Sequence, residues 1–521
     1  MDERERLSRR AFLLGATRAG TASALALTFG GPAGAAAATM ASARTGAVRA
    51  EPPEPPRFTR YVSRPDLRPI GVSVRSAPGP LGLGAQPLYI FCAPKAAQQP
   101  FPRGATPGLM ILDTAGELVW FKPLPSADDR PFDFKVQSYE GRATLTWFQG
   151  HSGAGHGVSG HYVLADSSYR QVGQVLATNF PCDLHEFILT PQGTALHTAY
   201  EDSSAVRFKG TPVLIGHVQE VDVATNRLLF DWSSYPAVGF GDSYVGPEAA
   251  FFDYFHVNSI DRWPGPGRNL LISARNTCAI YLVNQETKRI VWQLGGKRSS
   301  FRLGSGSRFW YQHDARALPD GSGVSLFDDA SDPAPEAYAA GKILELNQRD
   351  RNATLRHLCA HTDGLLRAAN QGSFEPLPGG GHVVGWGSEP FFSIYPPSVA
   401  GELGAHLVLD GRFPTGAQSY RVFAFPWRGD PPQSELALAV RHEGASGART
   451  AYVSWNGATD VAHWRLSGGP SATALRSVRT ARRTGFETAI RLPAGAGSYI
   501  QAAALDAHGR VLGHTRTVTA R

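Results

Sequence analysis

From about Leu81 onward, apolar and polar residues alternate with a period of two, and the alternating runs come in pairs. Met110–Trp120, Val218–Trp232 and Tyr281–Trp292 share one plan: an alternating run, a short polar turn, then an apolar stretch leading to Trp. Successive side chains of a strand point to opposite faces, so each run predicts a β-hairpin with an aromatic wedged between sheets. Ile343–Asn347, Tyr420–Phe425 and Tyr162–Tyr169 are degenerate copies. A second kind of run ends in a turn glycine, and eight residues before that glycine stand Asp133 (Gly141), His185 (Gly193), His313 (Gly321) and Gln371 (Gly379). His256 fits the pattern before Pro264-Gly265 with a slip of one residue. These five inner strands, with the first hairpin near Pro107–Leu124, give six units. Repeats of this length predict a ring of small sheets, an all-β, six-bladed β-propeller over residues 81–430; seven or eight blades with poorer copies is the competing count.

Beyond Gln433 the strands become short and closely spaced: Leu436–Val440, Ala451–Trp455, His463–Leu466, Thr488–Leu492 and Tyr499–Ala504, with Asn456-Gly457 and His508-Gly509 as turns. This pattern predicts a small fibronectin type III-like β-sandwich over 433–521. It carries no concentration of catalytic residue types, so a stabilising or surface-binding accessory is expected there.

Composition agrees with a turn-rich β protein, with 57 Gly and 38 Pro in 521 residues. The net charge of +7 is spread along the chain with acids among the arginines, so no basic stripe points to nucleic acid. At the N-terminus, Ser8-Arg-Arg-Ala-Phe-Leu-Leu14 precedes an apolar stretch and the small-residue run Ala35–Ala43. Residues 1–40 therefore read as a twin-arginine signal peptide, and 41–80, rich in Pro, Arg and Ala, as a linker and lead-in segment. The expected location is extracellular or periplasmic, with no stable membrane anchor. Cys92, Cys182, Cys278 and Cys359 offer no CxxC spacing; one or two disulfides and isolated buried thiols both remain open.

Equivalent positions of a closed array face its centre, so His185, His256 and His313 are expected to converge on one polar cavity. Asn258 follows His256 by two residues, on the same side of its strand. Arg275, in Ser273-Ala-Arg-Asn276, leans in from the next strand. Three imidazoles, an arginine and an amide suit an anion: Arg offers a fork of donors, and imidazole is both nucleophile and proton carrier near neutral pH. No carboxylate is strongly indicated at the centre beyond Asp133 and Asp314. Most of the 16 histidines are expected to be structural. His151, His156 and His161 read as loop residues, and His357 and His361 as a pair at helical spacing without a helix around it. Two other readings stand beside the anion site: a divalent metal held by the three histidines of a hydrolase or lyase, and a non-catalytic binding propeller.

The chain resembles the bacterial arylsulfate sulfotransferases, six-bladed propellers that need no nucleotide sulfate donor. The likeness is carried in order by Ser63-Arg-Pro-Asp-Leu67, Tyr89–Lys95, Leu118–Phe121, Leu145–Gly150, Asp183-Leu-His-Glu-Phe187, Phe255-His-Val-Asn-Ser259, Ser273–Asn276 and Gln312-His-Asp-Ala315. It implies His313 as nucleophile, His256 as acid and base, and Arg275, Asn258 and His185 as binders of the sulfuryl oxygens. It further implies a phenolic sulfate donor, a phenolic acceptor, a ping-pong reaction through sulfohistidine, and no cofactor or metal. The enterobacterial branch places a dimerising sandwich at its N-terminus, so a C-terminal sandwich leaves the oligomeric state open.

Overall fold

The computed structural model describes residues 51–520, apart from 78–86, 98–99, 125, 127–129, 154, 249, 332–335, 362–365, 378–379, 398–406 and 444–447. The twin-arginine segment and the turn residue Gly379 lie outside the described residues. Six mainly antiparallel sheets follow one another along the chain, and each packs on the next until the sixth meets the first.

The first blade is closed by both ends of the propeller: Ala417–Pro426 forms its inner strand and pairs with Leu88–Ala96, which is followed by Gly108–Asp113 and Leu118–Pro123. Pairing the last strand of the ring beside the first leaves no open edge at the seam. The second to fifth blades take their inner strands from Arg130–Tyr139, Cys182–Leu189, Val257–Arg262 and His313–Ala317, each followed by three further strands outward, to which Arg302–Leu303 adds a short outermost strand on the fifth. The sixth begins at Ser373–Pro376, continues through His382–Gly385 and Phe391–Tyr395, and reaches Leu409–Arg412. The lead-in segment is more ordered than its composition predicts. Ser73–Ser76 adds an outermost strand to the sixth blade, paired with Leu409–Arg412.

The hairpin pattern explains the core. Trp120, Trp232 and Trp292, at the ends of the three clearest hairpins, are all buried. Trp120 packs with Phe91, Phe134 and Trp147 between the first two blades, Trp232 with Phe255 and Tyr281 between the third and fourth, and Trp292 with Phe301, Leu326 and Leu344 between the fourth and fifth. Because both faces of each blade are covered, inner strands are apolar or internally paired along their whole length.

After the propeller, Leu436–Glu443, Ala448–Trp455 and Glu487–Arg491 form one sheet. Arg476–Arg482, His463–Gly469, Tyr499–Leu505, Val511–His514 and Val518–Thr519 form another. The two share a single apolar cluster containing Trp455, Trp464 and Ile500. The Asn456-Gly457 turn binds the first two blades: Asn456 Nδ2 donates to the Phe121 carbonyl of the first at 3.0 Å, and the Tyr169 hydroxyl of the second donates to the Gly457 carbonyl at 2.7 Å. Gly457 has φ +99°, and a Cβ there would fall 2.3 Å from the Tyr169 ring, so both conformation and space demand glycine.

All four cysteines are buried free thiols. His151, His156 and His161 are in strands, not loops, within Arg142–Gly153 and His156–Ala165 of the second blade. Among the described residues no helix is long and apolar enough to cross a membrane.

Candidate active site

Four inner strands or their approaches carry an irregularity at the same end of the ring. The ladder shifts between Phe132 and Lys135, between Val257 and Ser259, and between His313 and Arg316, and the partner of the third blade's inner strand shifts between His197 and Ala199. Asp133, His256 and Asp314 sit at these places with φ of 54°, 55° and 56°. A bulge turns a side chain away from strict alternation. It is here that the predicted residues are found, although only His313 opens its strand. His185 is the fourth residue of Cys182–Leu189, and His256 stands one residue before Val257–Arg262.

Each histidine has its own aspartate. His185 Nδ1 is 2.8 Å from Asp183 Oδ2, His313 Nδ1 is 2.9 Å from Asp329 Oδ2, and His256 Nδ1 forms a short contact with Asp253 Oδ2. These three carboxylates were not anticipated from sequence; Asp183 and Asp253 stand two and three residues before their histidines, a local spacing that held the signal. Asp329 is 16 residues from His313 and gave none. A carboxylate at Nδ1 fixes the ring and directs Nε2 outward. Among the described residues no protein group bonds these three Nε2 atoms.

The rings of His185 and His256 meet edge to face with centroids 4.9 Å apart. Tyr200 lies 6.1 Å from the first and 6.3 Å from the second, and its hydroxyl donates to the Val257 carbonyl at 2.8 Å, which locks the strand carrying Asn258. His156 packs 5.0 Å from Tyr200, bringing a fourth imidazole to the edge of the group. Asn258 is fully buried; its Nδ2 donates to the Gln312 carbonyl at 2.7 Å, beside His313, while its Oδ1 has no partner. Arg275 reaches across three blades. Its backbone N–H donates to the His256 carbonyl, its guanidinium lies 4.8 Å over the Tyr311 ring, and Nη2 donates to the Ala369 carbonyl at 3.1 Å.

The electrostatics follow from this packing. Burial pushes the His313 imidazole well below its ordinary range, and the positive fields of Arg275, His256, His185 and Arg421 push it further. His256 is lowered by burial against the opposing pull of Asp253, with His185 and Arg275 adding to the fall. Burial alone would raise Asp183, but His185, the Gly157 N–H and the Thr198 hydroxyl bring it below the usual carboxylate range. At neutral pH His313 is therefore a neutral imidazole beside the Arg275 guanidinium.

Asp133 and Asp314 are central, yet they do not face this group as free acids. Arg421 Nη1 is 2.8 Å from Asp133 Oδ1 and 3.1 Å from Glu186 Oε2. Lys135 Nζ is 2.8 Å from Asp133 Oδ2 and 2.7 Å from Glu186 Oε1. Arg316 binds Glu186 at 2.7 Å, Asp314 at 2.6 Å and Glu375 at 3.1 Å. The carboxylates that would repel an anion are thus neutralised by cations from neighbouring blades. Among the described residues the ligating nitrogens of His185, His256 and His313 do not form a group with all atoms within 4.8 Å of one another.

A family model described as "Arylsulfotransferase (ASST)" matches residues 135–395, which contain all five predicted site residues. No curated protein matches the chain. Among solved structures, the chain is similar to the β-propeller domain of Cps50 (Swd1) from Myceliophteria thermophila, at 12% identity over 76% of this chain and 98% of that chain, TM-score 0.34. It is also similar to TolB from Acinetobacter baumannii, at 14% identity over 66% of this chain and 67% of that chain, TM-score 0.36.

Proposed function

The chain belongs to the arylsulfotransferase (ASST) family, and from that membership we propose that it moves a sulfuryl group from a phenolic sulfate ester to a phenolic acceptor through a sulfohistidine on His313. Arylsulfotransfer between small molecules is the activity of the family; the covalent route and the roles of residues are our reading. The observation that carries it is the trio of imidazoles, each tied at Nδ1 to its own aspartate, beside the arginine that reaches over from the fourth blade.

Neutral His313 presents the Nε2 lone pair to sulfur, with its proton on Nδ1 shared with Asp329. As the N–S bond forms, the S–O bond to the aryl group breaks and the phenolate leaves. The imidazolium form of His256 protonates that oxygen; a depressed pKa makes it a stronger acid, and in its neutral form the base that then takes the acceptor's proton. The acceptor oxygen attacks sulfur, the N–S bond breaks, and His313 returns to the neutral imidazole. Arg275, Asn258 and His185 hold the three sulfuryl oxygens as charge spreads over them. An ordinary phenol has a pKa of about 10, which makes phenolate a tolerable leaving group, whereas alkyl sulfates should be poor donors.

The test is incubation with a chromogenic aryl sulfate, followed by intact-mass measurement before and after a second phenol is added. A single sulfuryl adduct that the phenol discharges is expected, and His313→Asn should remove it while the protein stays folded. An adduct of unchanged yield on that variant would place the nucleophile elsewhere. Export by the twin-arginine route to the cell exterior or periplasm belongs to the same proposal, and cell fractionation with Arg9 and Arg10 changed to Lys tests it.

A further inference from the structure

Between the fifth and sixth blades, away from the histidine–aspartate trio, three metal-ligand side chains meet. His357 and Cys359 are two residues apart on Asn352–Ala360, so both point to the same face. His382 opens His382–Gly385 in the neighbouring blade. The ligating atoms of the three all lie within 4.8 Å of one another. Cys359 Sγ is 3.4 Å from His357 Nε2, and the two imidazole rings are 5.6 Å apart. All three residues are buried, with 2%, 0% and 9% of their surface exposed. Their place is distinct from the proposed reaction centre. His382 pairs with Pro376, the last residue of the sixth inner strand, whereas His313 stands at the first residue of the fifth.

Ordinary core packing does not account for the group. His382 stacks on Phe374 with centroids 4.5 Å apart, yet its Nδ1 is buried without a hydrogen-bond partner. An unsatisfied buried polar atom costs about 1–3 kcal/mol, and an apolar side chain of similar shape would avoid that cost. Two imidazoles and a thiol converging in a dry interface have a shared chemical preference: a soft or borderline cation that accepts nitrogen and thiolate sulfur.

We propose that His357, Cys359 and His382 bind one closed-shell thiophilic cation, Zn²⁺ or Cu⁺, which ties the outer strand of the fifth blade to the sixth. On binding, the Cys359 thiol loses its proton to solvent as the sulfur–metal bond forms, and nothing is oxidised or reduced. Zinc takes imidazole at about 2.0–2.1 Å and thiolate at about 2.3 Å, so the three side chains close inward by roughly an ångström. Three donors complete a trigonal set for Cu⁺ and leave one position open on Zn²⁺. Because the donors come from two blades, the site exists only in the folded ring, and the ion stabilises that ring by mass action.

The full chain, stripped of metal with a chelator and kept reduced, is titrated separately with Zn²⁺, with Cu⁺ under anaerobic conditions, and with Co²⁺ as a spectroscopic probe. Expected are one equivalent of bound ion, a thiolate-to-cobalt charge-transfer band, and a rise in unfolding temperature with the native ion. Binding of Zn²⁺ alone or Cu⁺ alone tells the two apart, and either supports the site. Cys359→Ser should abolish the band and the temperature shift while aryl sulfate turnover is unchanged. His382→Gln should weaken binding at least tenfold. The proposal is overturned if the wild-type chain binds none of these ions stoichiometrically, a result that does not depend on any variant folding. It is equally overturned if the band persists in Cys359→Ser.

Discussion

The inner strands serve two neighbouring regions that use the same residue types to opposite ends. On the third blade His185 belongs to the imidazole group and Glu186, the next residue, to the ion network; on the fifth, His313 and Asp314 divide in the same way. In the network the cations are answered: Arg421, whose side chain is 0% exposed, has Asp133, Glu186 and Asp314 within 4.0 Å, and Lys135 and Arg316 supply the remaining neutralisation. In the imidazole group only Nδ1 is answered, and Nε2 of three rings and Oδ1 of Asn258 are left over. A buried charge set whose valences close on themselves specifies structure, and one whose valences stay open can bind a ligand. Closure also protects the open half: by neutralising Asp133, Glu186 and Asp314, the network removes the negative field an anionic substrate would meet.

The largest effect is expected where closure is broken. Arg421→Met leaves Asp133, Glu186 and Asp314 buried without their shared cation, and should cost about 3–5 kcal/mol in denaturant unfolding. Stability within about 1 kcal/mol of wild type would mean that water or a neighbouring cation takes over the role. Next in size is a change on the open side. Asp329→Asn takes away the carboxyl group that holds His313 through Nδ1, and should lower kcat on the order of 10²-fold with little change in Tm. Equal losses in stability and rate would erase the contrast between the two regions.

The smallest effect is on pH dependence, and it separates transfer from stability. His313 lies well below its ordinary 6.5, so transfer should persist as the pH falls through 6.5; a loss of rate with an apparent pKa near 6.5 would indicate a solvated imidazole instead. Stability behaves differently. Burial holds His197 at about 4 against 6.5 when unfolded, so its contribution is complete above 6.5 and is lost as the pH falls from there towards 4. In the network, burial alone would raise Glu186, but Arg316, Arg421 and Lys135 bring it below its ordinary 4.5, so that stabilisation is lost only on going below about 4.5. Acid unfolding followed by circular dichroism should thus begin in the histidine range and steepen in the carboxylate range.

Much of the ring was legible because it is written in local pattern. Trp120, Trp232 and Trp292 end hairpins whose alternation sets one face inward, and the same alternation makes them wedges between blades. The imidazoles were legible for a related reason: equivalent positions of successive repeats converge in a closed ring. The exceptions mark where local pattern gives way. His256, whose spacing slips by one, stands a residue before its strand rather than in it, and His156 was read as a loop residue because the glycines around it mask a strand.

Alternation, turn chemistry and repeat spacing, all properties of neighbours along the chain, determined by themselves the all-β ring, its six units and the convergence of His185, His256 and His313. Partnership was decided only by the tertiary structure. Asp329 found His313, Arg421 crossed from the closing strand to acids of the second, third and fifth blades, and His382 met Cys359 across a blade boundary. The physical reason is that a side chain's direction is fixed by its own strand, whereas the charge that answers it comes from wherever ring closure sets the next strand down.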